Sequence, residues 1–184
     1  MGWREDISDG IFLALCAALG YDPEGDGLKR FIPAYTENTI TPQAPRNLNV
    51  CYFDVRTYEG QDSGFDYIMH RQVVVNGQAK TEIKKTIPAT VLVTFYGPSA
   101  EEDAEEFWSM FQLDNGKDSP RAILRNMRIV PIGKPDRPTT LYEVEGTYQR
   151  RRCDVRVNLA YLVVSERDSS HIDTVPDIGF QVQT

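Results

Sequence analysis

The chain has 184 residues, of which 41% are hydrophobic, a size and composition typical of one domain with a substantial core. Its formal net charge of −7 argues against a protein that wraps nucleic acid, because neutralising phosphates requires clustered Lys and Arg. No stretch approaches the roughly 18 consecutive apolar residues of a membrane-spanning helix, so we expect a soluble protein without a membrane partner. The three widely spaced cysteines fit buried free thiols better than a disulfide framework or a zinc site.

The first predicted element is an amphipathic helix from Asp6 to Gly20. Gly20 is placed to end it, and one helical face carries its apolar residues Ile7, Ile11, Leu15 and Leu19. Residues 21–47 are rich in Pro, Gly and Asp, which indicates an extended connection with at most a short helical piece near Leu28–Ile32. We therefore divide the chain into an N-terminal helix and extended arm, residues 1–44, and a second domain, residues 45–184.

The second domain begins with strand patterns. Alternation predicts strands over Leu48–Glu59 and Ile68–Val75, with the polar stretch GQDSG between them. Asn76-Gly77 is the strongest short hairpin signal in the sequence. It predicts a tight turn into a strand over Lys80–Ile87 and the residues that follow.

A Gly-Pro-Ser corner at residues 97–99 separates a strand from a helix. Before it, the β-branched and aromatic run of residues 91–96 is apolar on both faces, as in a covered strand. After it, helical spacing places Ala100, Ala104, Phe107, Trp108 and Phe111 on one stripe, with acidic residues on the other face. Ser99 and Glu102 have the spacing of a capping box, so we expect the helix to begin with that motif.

The remaining sequence predicts a second short helix and more strands. Asp118-Ser119-Pro120 supplies a cap followed by proline, and a short strand is predicted at Arg128–Ile132. Leu141–Val164 contains the clearest strand, and Ile172–Val182 is predicted as a last strand interrupted by Pro176. The order of elements indicates an α+β fold: a mainly antiparallel sheet with two helices packed on one face, plus the N-terminal helix.

The sequence predicts no catalytic, cofactor-binding or metal-ligating residue. Asp22, Glu24, Asp26 and Gly27 resemble the start of a calcium loop, but Pro33 occupies the closing glutamate position. No nucleophile elbow or phosphate-binding loop is present in the sequence. We expect a non-enzymatic protein; a small metal- or ligand-binding domain or enzyme that uses the acidic loop 22–26 is the alternative.

Two clusters of opposite charge are candidates for a subunit interface. The acidic cluster is Glu101, Glu102, Glu105 and Glu106, and the basic cluster is Arg150, Arg151, Arg152 and Arg156. Complementary charge fixes how partners meet, so the acidic cluster of one copy is suited to the basic cluster of the next. Ion pairs within one chain, or solvated charge, are the open alternatives.

The order of these features resembles the phage neck or tail terminator family. The motifs concerned are Phe95-Tyr96-Gly97-Pro98-Ser99-Ala100, the acidic helix, the short helix with a strand behind it, Tyr148–Val157 and His171–Val175. The likeness spans about Pro45 to Val175. The chain departs from that pattern in its long N-terminal segment, Met1–Ala44.

The resemblance implies a structural virion protein, assembled in the host cytoplasm, without a cofactor. Such proteins form a ring, commonly of six subunits, at the head–tail junction, where it caps the tail tube and stops its polymerisation. The implied partners are copies of the chain itself, the tail tube protein, and a head connector or head-completion protein. Genomic DNA would pass through the lumen without specific binding, which suits an acidic subunit.

Overall fold

A computed structural model of the protein describes residues 2–34, 47–57, 68–76, 78–114, 116–145 and 148–168. The helices are α1 Trp3–Leu19, α2 Gly27–Arg30, α3 Ala100–Gln112 and α4 Pro120–Asn126. The strands are β1 Phe31–Pro33, β2 Val50–Thr57, β3 Ile68–Val75, β4 Gln78–Tyr96, β5 Ile129–Pro131, β6 Thr139–Glu145 and β7 Tyr148–Asp168. No helix in these ranges is long and apolar enough to span a membrane.

The strands form one sheet built around β4 and β7. The strand order is β1-β2-β4-β7-β5, with β3 added to β4 and β6 added to β7. Strands β1 and β2 are parallel, and the other pairs within the described ranges are antiparallel. Together with the helices described next, this sheet confirms the predicted α+β class.

The helices pack on one face of the sheet. Alternate residues of β4 and β7 are buried on that face, among them Val91, Phe95 and Val155. They share one core cluster with buried residues of the helices, such as Ile11 of α1 and Phe107 of α3. The other face of the sheet is covered by no helix among the described residues, so its side chains must cover one another or meet solvent.

The N-terminal helix belongs to this same core. Ile7, Ile11 and Leu15 are fully buried within it, and the hydroxyl of Tyr161 on β7 donates a hydrogen bond to the Asp6 carboxylate. That hydrogen bond and burial raise the pKa of Tyr161. The predicted domain boundary at residue 44 lies outside the described residues.

The predicted hairpin at Asn76-Gly77 is confirmed. Val75 pairs with Gln78, and Asn76 has a φ of 53°, as a tight hairpin turn requires. In the first half of β4, up to Pro88, every described side chain is half-buried or exposed. Ala89 is the first buried residue of the strand. The β3–β4 hairpin therefore extends past the helix layer.

Several element predictions are confirmed and two are corrected. Ser119 caps α4 by accepting a hydrogen bond from the backbone N–H of Ala122 at 3.2 Å, with Pro120 following it. The predicted strand at Leu141–Val164 is instead two antiparallel strands, β6 and β7. High strand propensity on both sides concealed in the sequence that one strand ends at Glu145 and the next begins at Tyr148. The short helical piece lies at Gly27–Arg30, because Phe31 already begins β1.

The prediction for the cysteines is confirmed, whereas the prediction of a last strand is not tested. Cys16, Cys51 and Cys153 are buried and free, as predicted. Burial raises the pKa of the Cys51 thiol well above its ordinary value, so this side chain stays a neutral packing group. The strand predicted at Ile172–Val182 lies outside the described residues.

Candidate subunit interface

The Gly-Pro-Ser corner is held by a residue far away in the sequence. Gly97 has a φ of 110°, and a Cβ there would lie 2.4 Å from Asn49 Oδ1 and 2.6 Å from the Leu48 carbonyl oxygen. Asn49 Oδ1 accepts a hydrogen bond from the Ser99 backbone N–H at 3.0 Å, and Asn49 Nδ2 donates to Ser99 Oγ at 3.1 Å. The predicted capping box is therefore wrong: Ser99 is at the N-cap, but its side chain makes no capping hydrogen bond.

Helix α3 presents an acidic face to solvent. Ala100, Ala104, Phe107 and Phe111 are buried against the sheet, while Glu102, Glu105 and Glu106 are exposed. The helix contains five acidic residues and no basic residue. This distribution is that of an amphipathic surface helix whose outer face carries uniform negative charge.

Asp103 of α3 is anchored on the connection before β1. Its carboxylate forms an ion pair with Arg30, and both side chains are mostly buried. Arg30 also lies over the ring of Tyr21, with Cζ 4.8 Å from the ring centroid. Burial raises the pKa of Asp103, an effect that the nearby Arg30 opposes. Asp103 therefore serves to fix α3 and is not part of the exposed acidic face.

One residue of the predicted acidic cluster pairs with one residue of the predicted basic cluster within the same chain. Glu101 forms an ion pair with Arg151 and accepts a hydrogen bond from Thr140 Oγ1 at 2.7 Å. The Thr140 and Arg151 hydrogen bonds hold the pKa of Glu101 below its ordinary value. These contacts tie the start of α3 to β6 and β7.

The other arginines lie on the opposite face of the sheet. Strand alternation places Arg150, Arg152 and Arg156 out of phase with the buried residues Cys153 and Val155. Arg152 pairs with Asp154 at 3.0 Å and with Glu143 at 3.6 Å. Arg156 is exposed.

Arg150 takes part in an aromatic cluster on that face. Its Cζ lies 4.3 Å from the centroid of the Tyr96 ring, and Tyr96 packs edge-on against Tyr52 at 5.8 Å. The Tyr96 hydroxyl donates to Glu143 at 3.1 Å. Burial and the Glu143 carboxylate raise the pKa of this hydroxyl. The structure therefore separates the predicted clusters, with Glu102, Glu105 and Glu106 on one side of the sheet and Arg150, Arg152 and Arg156 on the other.

The sequence interpretation missed three side chains that organise these surfaces: Asn49, Thr140 and Tyr96. Tyr96 was noted only as part of an apolar strand pattern and of the corner motif, without a role on the other face of the sheet. The two-residue strand period could have placed Arg150 and Arg152 on a different face from Arg151. Their partners required the register between β4, β6 and β7, which the sequence does not provide.

The acidic loop at 22–26 is a turn that leads into α2. Asp22 Oδ1 accepts a hydrogen bond from the Glu24 backbone N–H at 3.1 Å, and the Asp22 carbonyl oxygen accepts from the N–H of Gly25 and Gly27. Asp26 lies 3.5 Å from Lys29. Within the described ranges, no group of three or more His, Cys, Asp or Glu side chains is arranged to hold a metal ion.

The face that carries Tyr96 and Arg150 is rich in the two residue types, Tyr and Arg, that are enriched where proteins meet. The model of the family described as phage neck terminator protein matches residues 6–184, and the chain belongs to this family. A search of the curated proteins gives no match.

Family membership confirms the resemblance drawn from the corner and the arginine-rich strand. The match begins at residue 6, so it includes α1, which the sequence interpretation had treated as a departure from the family pattern. The chain is therefore a structural protein of the phage neck, at the junction of head and tail.

Proposed function

We propose that the chain forms a homo-oligomeric ring, of six copies, that caps the completed tail tube and stops its polymerisation. Its partners are the tail tube protein on one side and a head connector or head-completion protein on the other. Genomic DNA passes through the lumen without specific binding. Assembly takes place in the host cytoplasm, without a membrane partner.

The observation that carries this proposal is the placement of the acidic α3 face and of three arginines on opposite faces of one sheet. The exposed acidic face of α3 lies on the helix side, and Arg150, Arg152 and Arg156 lie on the other side. A contact between these faces joins two different surfaces of neighbouring copies. Such a heterologous contact generates a ring when its rotation closes.

Electron microscopy of the purified protein, alone and mixed with tail tubes, tests the function. We expect rings at tube ends and a halt in tube growth when the protein is added to polymerising tube subunits. Tubes that keep growing at the normal rate, with bare ends, would contradict the capping role.

Charge reversal tests the proposed contact. Glu105→Lys with Glu106→Lys should weaken ring formation, and reversal of Arg150, Arg152 and Arg156 in a second protein should restore part of it. Lys29→Glu is the matched control, because Lys29 on α2 is exposed and belongs to neither charge cluster. Unchanged rings after reversal of either face alone would rule out this pairing.

A further inference from the structure

On the face of the sheet that no described helix covers, side chains cluster around Tyr96. Tyr52 packs on one side of Tyr96, and Arg150 lies across its ring. Beneath this cluster Thr94 is only 8% exposed and Val50 only 5%, although no helix of the described chain covers them. A rigid aromatic platform with an arginine on it is the kind of surface that dominates protein interfaces.

The four arginines of the basic cluster differ in whether they already form ion pairs with carboxylates of the same chain. Arg151 forms an ion pair with Glu101, and Arg152 forms ion pairs with Asp154 and Glu143. In contrast, Arg150 Nε and Nη2 have no hydrogen-bond partner among the described residues, although both atoms are covered from solvent. These two nitrogens form one edge of the guanidinium, the edge that binds both oxygens of a carboxylate. Covered donors without an acceptor are unfavourable, so a carboxylate that binds this edge stabilises it. Because its own chain covers the edge, the covering side chains must move aside when the carboxylate binds.

The chain itself supplies a suitable carboxylate on its opposite face. Glu105 and Glu106 are exposed on α3, which contains no basic residue. Glu101 and Asp103 already have arginine partners in the same chain. Asp54, Glu143 and Asp154 also lie on this face, but each is already paired, Asp54 with Arg56 and the other two with Arg152. Arg150 and Arg156 therefore remain to meet an incoming carboxylate.

We propose that Arg150, held flat on Tyr96, is the anchor that receives Glu105 or Glu106 of a second copy of this chain. The inference rests on the proposed ring and names the side chains that join its subunits. Docking of α3 from the neighbour gives this sheet face a helix layer that the described residues of its own chain do not provide. Arg156 lies exposed on the same face and pairs at the rim, whereas Arg151 and Arg152 stabilise their own subunit.

Mixing two non-assembling variants tests the anchor. Arg150→Glu places negative charge opposite the acidic α3 face, and the double variant Glu105→Arg, Glu106→Arg places positive charge opposite Arg150. Each protein alone should associate at least tenfold more weakly than the wild type. An equimolar mixture should form rings of alternating copies, because every junction in the mixture joins opposite charges. Sedimentation velocity measures association, and thermal melting of each variant checks that it folds.

Lys29→Glu is the charge-matched control, because the Lys29 side chain is 84% exposed and belongs to neither charge cluster. It should leave association unchanged. If Arg150→Glu does not fold, Arg150→Gln replaces it, and tenfold weaker association with an unchanged melting temperature is then expected. Wild-type association of the folded arginine variant would overturn the anchor, as would failure of the mixture to assemble. DNA binding that is lost in Arg150→Gln would also overturn it, by assigning Arg150 to phosphate.

The failure of this inference is distinguishable from failure of the proposed function. Wild-type rings that cap tubes, combined with an inert Arg150→Glu substitution, would remove the anchor alone. Wild-type protein that does not cap tubes would remove the proposed function, while the mixing experiment still reports whether copies meet through Arg150.

Discussion

At the scale of single residues, the corner between β4 and α3 depends on the absence of a side chain at position 97. The Asn49 amide occupies the space where a Cβ would stand, and it binds both the backbone N–H and the hydroxyl of Ser99. The start of α3 is therefore fixed from outside the helix. The direction of the acidic face depends on this contact between two distant parts of the chain.

Gly97→Ala should lower the free energy of unfolding by about 3 kcal/mol, because it combines a strained φ with overlap against Asn49 and the Leu48 carbonyl. Gly133→Ala is the control: Gly133 has a φ of 70°, but a Cβ there meets nothing within 4 Å. It should cost about 1 kcal/mol, from the backbone conformation alone. Urea unfolding measures both, and equal losses would show that the close approach of Asn49 does not matter.

At the scale of elements, α3 is attached to the sheet at both its buried and its polar surface. Phe107 and Phe111 pack into the core, while Glu101 binds Thr140 of β6 and Arg151 of β7. The polar attachment is charged, so it depends on pH. Its contribution can therefore be separated from that of the apolar core.

Glu101→Gln should destabilise the protein at pH 7 and have little effect at about pH 2.5. The folded-state pKa of Glu101 lies below the ordinary value of 4.5, so its pairing stabilises the folded state above that value. The stabilisation is lost as the pH falls through the lowered pKa. Urea midpoints at the two pH values measure the difference, with Glu105→Gln as the exposed control. A penalty for Glu101→Gln that is the same at both pH values would contradict the assignment.

At the scale of the whole molecule, α1 and the sheet share one core. Ile7, Ile11 and Leu15 belong to the same buried cluster as Val91 and Val155. An element that supplies fully buried side chains to a core is expected to unfold together with it. The buried residues of α1, α3, α4 and the central strands thus form one packing unit.

Ile11→Ala should lower the free energy of unfolding by about 3 kcal/mol and leave a single transition. Val155→Ala on β7 should shift that same transition to lower denaturant. Far-ultraviolet circular dichroism and tryptophan fluorescence follow the helices and the surroundings of Trp3 and Trp108. Two separate transitions in the Ile11 variant would show that α1 unfolds on its own.

Local chemistry decided which features could be predicted from the sequence. Asn76-Gly77 and Ser119-Pro120 specify a turn and a helix start within a few residues, and both occur where predicted. Ser99 and Glu102 satisfied an equally local rule, but Asn49 replaced it from 50 residues away in the chain. The same limit applies to the charge clusters. Their composition was readable, whereas the pairing of Glu101 with Arg151 and the stacking of Arg150 on Tyr96 depend on strand register.

The length of β4 has a mechanical consequence. It runs without a break from the hairpin turn to the Gly97 corner, and β7 is hydrogen-bonded to it from Lys80 to Tyr96. At about 3.3 Å per residue, its 19 residues extend over about 60 Å. An extended strand pair resists stretching, so a push or pull on the hairpin reaches the base of α3 without being absorbed by a hinge. The β3–β4 hairpin and the start of α3 are thereby mechanically coupled, although they lie at opposite ends of β4.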